Sequence, residues 1–295
     1  MAYVTIQAPQ QIGHTIDGFA RHVTMNHWSC RLFVCLVAAR GVALATAGVP
    51  QQPGEVPSPK AQSPASAEPH IIHAEPDKGV IAFLKQYIEQ GQQKVERFFS
   101  QPFKQAFEVE VFPDRAAFDQ YFHKRWKFPK TEAWMVASGV ADRMVILSPR
   151  VWKTQAAEHD PADAEHLREL IAHELVHVYH GQHNPRPDFD GMDDSGWFVE
   201  GLAVYVSGQL ERSHRTAARD ALKAGKAPTR LADAWSGRYR YGVSGSMVEF
   251  VDQRYGREVV KKLLPVVSNE EALKLLNTTE GEFLEAWKRR VSAQP

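Results

Sequence analysis

The stretch His173-Glu174-Leu175-Val176-His177 decides how the middle of this chain folds. Apolar residues recur around it at helical spacing and predict a buried helix, at Leu167, Leu170, Ile171, Leu175 and Val178. Residues four apart on a helix lie about 40° apart around its axis and one turn apart along it, so the imidazoles of His173 and His177 converge. Both could bind one zinc ion, and the alternative is a chance pair of core or surface histidines.

Glu174 lies about 100° round the same helix from His173 and is predicted to point beside such a metal rather than at it. From there a carboxylate can accept a proton from a water molecule at the metal and pass it to a leaving amine. The only two cysteines, Cys30 and Cys35, precede this region of the chain. Imidazole and carboxylate groups must therefore hold any metal in the rest of the chain.

A catalytic zinc ion takes three protein ligands and keeps one position open for water. The predicted third ligand is Glu200, the single carboxylate in the apolar stretch Trp197–Tyr205. A carboxylate on an apolar helix face is costly unless it is paired or binds a metal. Gly201 and Ala203 are small, and we expect them to let this helix approach the 173–177 helix closely. The alternative is a glutamate that only interacts with the positive end of the helix dipole.

His183 is the competing third ligand, because its spacing from His173 and His177 matches the three-histidine motif of metzincins. Metzincins have a glycine where this chain has His180, because their chain turns sharply at that point. The methionine turn that metzincins share has no convincing counterpart in this sequence either. Glu200 is therefore the preferred third ligand.

His173-Glu174-x-x-His177, followed by Trp197-Phe198-x-Glu200-Gly201-Leu202-Ala203-x-Tyr205, resembles the gluzincin branch of the zincin peptidases. The sequence is most similar to the bacterial peptidase MA-like group, and the resemblance extends over roughly residues 105–290, including the stretch Tyr241–Phe250. It implies a thermolysin-like arrangement, in which a strand edge above the active-site helix binds an extended peptide by β-augmentation. We expect Asp142–Ser148 to be that edge.

The resemblance also implies a hydrogen-bond donor for the oxyanion, which is often a tyrosine or a histidine in this superfamily. Tyr241 is the predicted donor, because it begins a helix in the region where relatives carry a tyrosine. Tyr239 and Tyr205 are alternatives, and packing in the core is the other role open to Tyr241. The chain lacks the Gly-x-Met-Glu-Asn segment of the large gluzincin aminopeptidases, which argues against aminopeptidase activity.

The order of elements predicts an α+β fold, with a small N-terminal mixed sheet, the active-site helix and a mainly helical C-terminal part. The resemblance implies that this fold is zincin-like. Asp77 is expected to begin the first helix, and a second is expected over 116–126. Strands are expected over 107–111, 133–140 and 143–147. The remaining predicted helices cover 163–181, 197–210, 214–223, 242–255, 257–264, 269–276 and 280–291.

Residues 1–47 are expected to contain a signal sequence, because an apolar run from Leu32 leads to the small-residue cleavage pattern Ala45-Thr46-Ala47. Arg40 interrupts that run, so an uncleaved anchor or a cytoplasmic protein with a spurious N-terminus is the alternative. Residues 48–76 are rich in proline and are expected to form an extended linker before a catalytic domain at 77–295. We therefore expect an exported protein, periplasmic or secreted, with no stable membrane span in its mature form.

These patterns favour a zinc-dependent peptide-bond hydrolase that holds one Zn²⁺ per chain and acts on a peptide or protein substrate. Lys plus Arg and Asp plus Glu both number 35, so no overall charge recruits nucleic acid or an anionic membrane. One alternative is a zinc-stabilised binding or scaffolding protein of the cell envelope with a peptidase-like fold. The other is a metal-dependent hydrolase of a non-peptide amide or ester.

Overall fold

The computed structural model of this chain describes residues 69–293, so the predicted extension 1–47 and most of the predicted linker 48–76 lie outside the described residues. The end of that linker is described, and its predicted boundary is wrong, because His70–His73 form strand β1. β1 pairs in parallel with strand β2, Glu108–Phe112, which gives its backbone groups hydrogen-bond partners. Two β-branched isoleucines favour this strand. The folded part therefore begins before Asp77.

Four strands form one mixed sheet in the order β1-β2-β4-β3. β3 spans Ala137–Val140 and β4 spans Arg143–Leu147, and these two strands are antiparallel. β4 runs parallel to β2, with Met144 opposite Val109. The three strands predicted from the sequence are thus confirmed, although β3 is shorter than expected.

The free edge of the sheet is not where the sequence placed it. β4 lies between β2 and β3, so the prediction that Asp142–Ser148 forms the edge is wrong. β3 is the edge strand on that side of the sheet. Both strands are short and apolar, and only the parallel pairing of β4 with the distant strand β2 decides which of them becomes internal.

The helices agree with the predicted spans to within about three residues at each end, except for the short helix Trp152–Gln155, which the sequence did not predict. They are α1 (Lys78–Phe99), α2 (Arg115–Trp126), α3 (Trp152–Gln155), α4 (Ala164–His183), α5 (Gly196–Ser207), α6 (Ala217–Lys223), α7 (Arg240–Tyr255), α8 (Arg257–Leu263), α9 (Asn269–Leu275) and α10 (Glu280–Ser292). Asp77 precedes α1 as predicted, but its side chain does not cap the helix. It is fully buried and accepts a hydrogen bond from Arg150 Nε at 3.1 Å.

α4 packs against α1, α5 and β3, and the segment 173–177 lies in the buried middle of this helix. Asp163 caps its N-terminus, because the carboxylate accepts a hydrogen bond from the backbone of His166 at 2.9 Å. A glycine in β3 sets the distance between α4 and the sheet. A Cβ atom at Gly139 in β3 would lie 2.1 Å from the carbonyl oxygen of Glu174, so any larger residue would push β3 and α4 apart.

α5 lies between α4 and α7, and a different face of the helix packs against each of them. Glu200 faces α4, because its carboxylate lies close to the imidazoles of His173 and His177. A Cβ atom at Gly201 would lie 2.4 Å from the carbonyl oxygen of Ser244 in α7. The expectation that Gly201 brings α5 close to the 173–177 helix is therefore wrong, since this glycine sets the contact with α7 instead.

The described residues thus form a mixed α and β fold with a small mixed sheet and a mostly helical C-terminal part, as the sequence predicted. Within residues 69–293, none of the helices is long and apolar enough to cross a membrane.

Candidate metal centre

Three side chains from two helices meet at one point in the core. The ligand atoms of His173, His177 and Glu200 all lie within 4.8 Å of one another. The two Nε2 atoms are 3.1 Å apart, and Glu200 Oε2 lies 3.3 Å from the first and 3.5 Å from the second. All three residues are buried, with exposed fractions of 0%, 1% and 4%. The structure therefore brings together the three ligands that the sequence predicted.

The triangle of ligand atoms fits a metal ion. Two ligands at about 2.0–2.1 Å from a tetrahedral zinc ion lie about 3.4 Å apart, which is close to the three separations seen here. Glu200 Oε2 and His177 Nδ1 have no hydrogen-bond partner among the described residues. Buried polar atoms rarely lack partners, and a cation bound by Glu200 would supply one for its carboxylate. The group could therefore hold a metal ion, with α4 giving two ligands and α5 the third.

Gln209 orients the first imidazole of the triad. Its side-chain Oε1 accepts a hydrogen bond from His173 Nδ1 at 2.9 Å, so the proton sits on Nδ1 and the lone pair of Nε2 faces the other two ligands. Gln209 follows Gly208, whose φ of 96° ends α5 in a left-handed conformation. Lys94 from α1 donates a hydrogen bond to the carbonyl of Ser207 and fixes the end of α5. The end of the Glu200 helix thus supports the ligand on α4.

Glu174 lies beside the triad and is completely buried. Neither of its carboxylate oxygens has a hydrogen-bond partner in the part of the chain that the structure describes. Burial raises the pKa of Glu174, and the Glu200 carboxylate raises it further, against the two imidazoles, which lower it. A carboxyl group with a raised pKa, close to a potential metal site, suits proton transfer.

The charges of the triad balance one another. Burial alone would raise the pKa of Glu200, but electrostatic attraction to the two imidazoles outweighs it and lowers this pKa to about 2. Burial alone would lower the pKa of His177, and the carboxylates of Glu200 and Glu174 outweigh it and raise this pKa. Glu200 is therefore ionised, which is the form that binds a cation.

His183 does not join the triad. α4 continues without a turn through His183, which places this residue roughly 240° round the helix from His177 and about 9 Å further along it. Its Nδ1 hydrogen-bonds the carbonyl of Tyr179 at 2.8 Å, and its ring stacks on the Tyr179 ring. His180 is buried on another side, where its Nε2 donates to the carbonyl of Leu264 at 3.1 Å. The uninterrupted helix therefore does not support a metzincin arrangement.

Tyr241, the predicted oxyanion donor, is buried in the first turn of α7. Its ring stacks on His214, with ring centres 5.2 Å apart, and meets Trp235 edge-on. The hydroxyl of the alternative donor Tyr205 donates a hydrogen bond to Asp252 at 2.9 Å. This bond joins α5 to α7 and already uses the hydroxyl proton. The other alternative, Tyr239, is only half-buried and accepts a hydrogen bond from its neighbour Arg238.

Sequence reasoning missed His214 and Gln209. His214 ends a short π-helical segment, Leu210–His214, and burial together with the nearby charge of His173 lowers its pKa to about 4. π-helical turns are rare and often occur at functional sites. The only signal in the sequence was Gly208, which ends the Glu200 helix and so predicts that the following polar residues lie at its end.

Comparisons with models of protein families, with curated proteins and with solved structures gave no significant match. The geometry of the described residues is therefore what characterises this centre: two imidazoles and one carboxylate that could hold a metal ion, with a second carboxylate beside them.

Proposed function

We propose that this chain is a zinc-dependent peptide-bond hydrolase of the gluzincin type, with a zincin-like fold. The observation that carries the proposal is the buried triangle of His173, His177 and Glu200, with the unpartnered carboxylate of Glu174 beside it. Two imidazoles and a carboxylate are the ligand set of thermolysin-like catalytic zinc sites. A purely structural site has no use for a second buried carboxylate without a partner.

Each residue has a defined task in this proposal. His173 and His177 present Nε2 lone pairs, Gln209 keeps His173 in the correct tautomer, and Glu200 supplies a negative charge. A bound zinc ion would polarise the substrate carbonyl and lower the pKa of water. Glu174 accepts the proton of the attacking water molecule and delivers it to the leaving amine, a task that its raised pKa favours.

The substrate is proposed to bind along β3. Leu147 donates a backbone hydrogen bond to the carbonyl of Val136 at 2.7 Å, so the backbone groups of the alternate residues 137 and 139 point away from β4. A Cβ atom at Gly139 would collide with the backbone of Glu174, so the two residues lie close together. An extended peptide that pairs with this edge would lie next to the general base, and β-augmentation would hold it mainly through its main chain.

Tyr241 and His214 are the candidates for stabilising the oxyanion. Their rings stack on each other, and His214 is close enough to His173 for the two to interact electrostatically. We keep Tyr241 as the proposed donor and add His214, either as a donor itself or as the group that positions Tyr241. The proposed export of the protein rests on the apolar run before residue 47.

The decisive experiment replaces the proposed base. Glu174→Gln keeps the shape of the side chain but removes the proton acceptor, so we expect turnover of a peptide library to fall by about 10²–10⁴-fold. The zinc content, measured by mass spectrometry of the dialysed protein, should stay at the level of the unaltered chain. Glu165→Gln is the matched control, because this exposed glutamate lies on the same helix.

Two outcomes separate the alternatives. If the unaltered chain binds zinc but cleaves no peptide, with or without added metal, the protein is a binding protein or acts on another amide or ester. If Glu174→Gln cleaves peptides at the native rate, Glu174 is not the base. A chelator should abolish cleavage, and re-addition of zinc should restore it.

A further inference from the structure

Positive charge is concentrated where α2 ends. Residues 123–130 read His-Lys-Arg-Trp-Lys-Phe-Pro-Lys, with four cationic side chains and no carboxylate, although the chain as a whole has no net charge. All four cationic residues are exposed. α2 ends at Trp126, and Lys127 adopts a left-handed conformation with a φ of 61°, so the chain turns here. We refer to residues 123–130 as the basic turn.

Three of these charges are not neutralised within the described residues. Arg125 pairs with Asp142 at 3.3 Å. Lys124, Lys127 and Lys130 form no ion pair within residues 69–293, and Lys127 Nζ only approaches the carbonyl of Lys124 at 3.4 Å. By comparison, the lysines at 78, 261 and 288 each pair with a glutamate three residues earlier in the chain. The basic turn therefore carries four cationic side chains, of which only Arg125 forms an ion pair within residues 69–293.

Two half-buried aromatic rings lie between the lysines. Trp126 packs against Phe122 and Tyr121, with ring centres 5.0 Å and 5.7 Å apart, and Phe128 also reaches Phe122. The core therefore fixes one side of each ring, while another part remains exposed. Aromatic rings among cationic side chains are typical of segments that lie at the headgroup level of a membrane.

We propose that the basic turn binds the surface of a bilayer rich in anionic lipids. The three lysines would contact phosphate headgroups, and the exposed parts of Trp126 and Phe128 would enter the interface between headgroups and acyl chains. This proposal does not depend on the metal centre. It concerns peripheral contact only, and the chain provides the positive charge locally while remaining neutral overall.

A nucleic acid fits this surface less well. Binding of single strands uses open ring faces on which bases stack. The guanidinium of Arg125 lies 5.1 Å from the centre of the Trp126 ring, and Phe122 packs against the same ring. Trp126 therefore does not present a free stacking platform, whereas contact with a membrane interface requires only an exposed apolar edge.

The test is sedimentation of the full chain with lipid vesicles. We expect binding to vesicles of phosphatidylglycerol and phosphatidylcholine in a 3:7 ratio to exceed binding to pure phosphatidylcholine, and to weaken as salt rises and the Debye length falls. Each lysine near an anionic surface contributes about fivefold to the affinity, so Lys124→Glu/Lys127→Glu/Lys130→Glu should lose about 100-fold or more. Binding to neutral vesicles should not change.

The matched control changes the same charge elsewhere. Lys223→Glu/Lys226→Glu/Lys262→Glu replaces three exposed lysines of the helical part, so its net charge equals that of the test variant. It should retain most of the binding, and thermal unfolding should show that both variants are folded. Equal losses in the two variants, or no loss in the first, would overturn the proposal. Equally tight binding of a single-stranded oligonucleotide that the first variant abolishes would assign the surface to nucleic acid instead.

Discussion

Glu200 is the residue whose environment is hardest to explain without a cation. It lies in the sequence Gly196–Ser207, where every other side chain is apolar or small apart from Tyr205 and the terminal serine, and only 4% of it is exposed. Removing a carboxylate from water costs several kcal/mol unless other groups compensate. The two imidazoles offset part of this cost, as the low pKa of Glu200 shows. A bound divalent cation would offset the rest.

The choice of third ligand can be tested at the level of single residues. Glu200→Ala should reduce the metal content of the dialysed protein from about one ion per chain to a trace, because two imidazoles alone bind zinc weakly. His183→Ala should retain its metal, because that ring is engaged with Tyr179. Metal loss from His183→Ala together with retention in Glu200→Ala would reverse the assignment.

At the level of elements, the centre depends on how closely α4 approaches the sheet and α5 approaches α7. Both contacts occur at a glycine, Gly139 for the first and Gly201 for the second. Neither glycine has a positive φ, so the backbone conformation does not require it. The absence of a side chain is what matters, because backbone atoms of the neighbouring helix occupy the space of the Cβ atom.

The contact between β3 and α4 makes a prediction about stability. Gly139→Ala would place a Cβ atom 2.1 Å from a backbone oxygen of α4, and we expect the free energy of unfolding to fall by about 3 kcal/mol. Metal content should fall as well, because α4 carries two of the proposed ligands. Gly79→Ala is the control, because nothing lies within 4 Å of its Cβ position, and it should be neutral or stabilising by up to about 1 kcal/mol. Equal stability of the two variants would contradict the prediction.

At the level of the whole molecule, buried histidines outside the triad connect distant parts of the chain. His159 Nε2 donates to the carbonyl of Trp134 at 2.9 Å, and its Nδ1 accepts from His166 Nε2 at 2.9 Å, which ties the segment before β3 to the start of α4. His180 and Asn184 both reach the carbonyl of Leu264 and attach the other end of α4 to the C-terminal helices.

The histidine pair predicts how stability depends on pH. Burial, together with the charge of His166 and of Arg115, lowers the pKa of His159 to about 4, although the hydrogen bond to Trp134 opposes this. Burial also lowers the pKa of His166, against the charge of Asp163. The unfolded chain binds protons below about pH 6.5 and the folded chain does not, so stability is full above that pH and falls as the pH approaches 4.

For His159 alone, the free energy of unfolding should fall by about 3 kcal/mol between pH 6.5 and 4, since one pKa unit corresponds to about 1.4 kcal/mol. Urea unfolding at pH 7 and at pH 4.5 measures this fall in stability. His159→Gln keeps a donor and an acceptor but does not titrate, so its stability should depend less on pH. His123→Gln changes an exposed histidine and should keep the full dependence. Identical pH dependence in all three proteins would refute this account.

The sequence by itself determined which three residues could hold a metal ion, and most of the elements. His173 and His177 converge because helix geometry is local, and the isolated carboxylate of Glu200 in an apolar helix is visible without any structure. The spans of α4, α5 and α7 follow from periodicity in the same way. β1 was missed, because its four residues follow a proline-rich segment and gain stability only from pairing with β2.

Only the tertiary structure decided which surfaces meet. It placed β3 rather than β4 at the edge of the sheet, turned Gly201 towards α7 rather than α4, and brought Gln209 onto His173. Each of these contacts joins residues that are distant in sequence, and a helix or strand with several apolar faces offers more than one way to pack. Periodicity identifies such faces, but the partner of each face is set by the packing of the whole core.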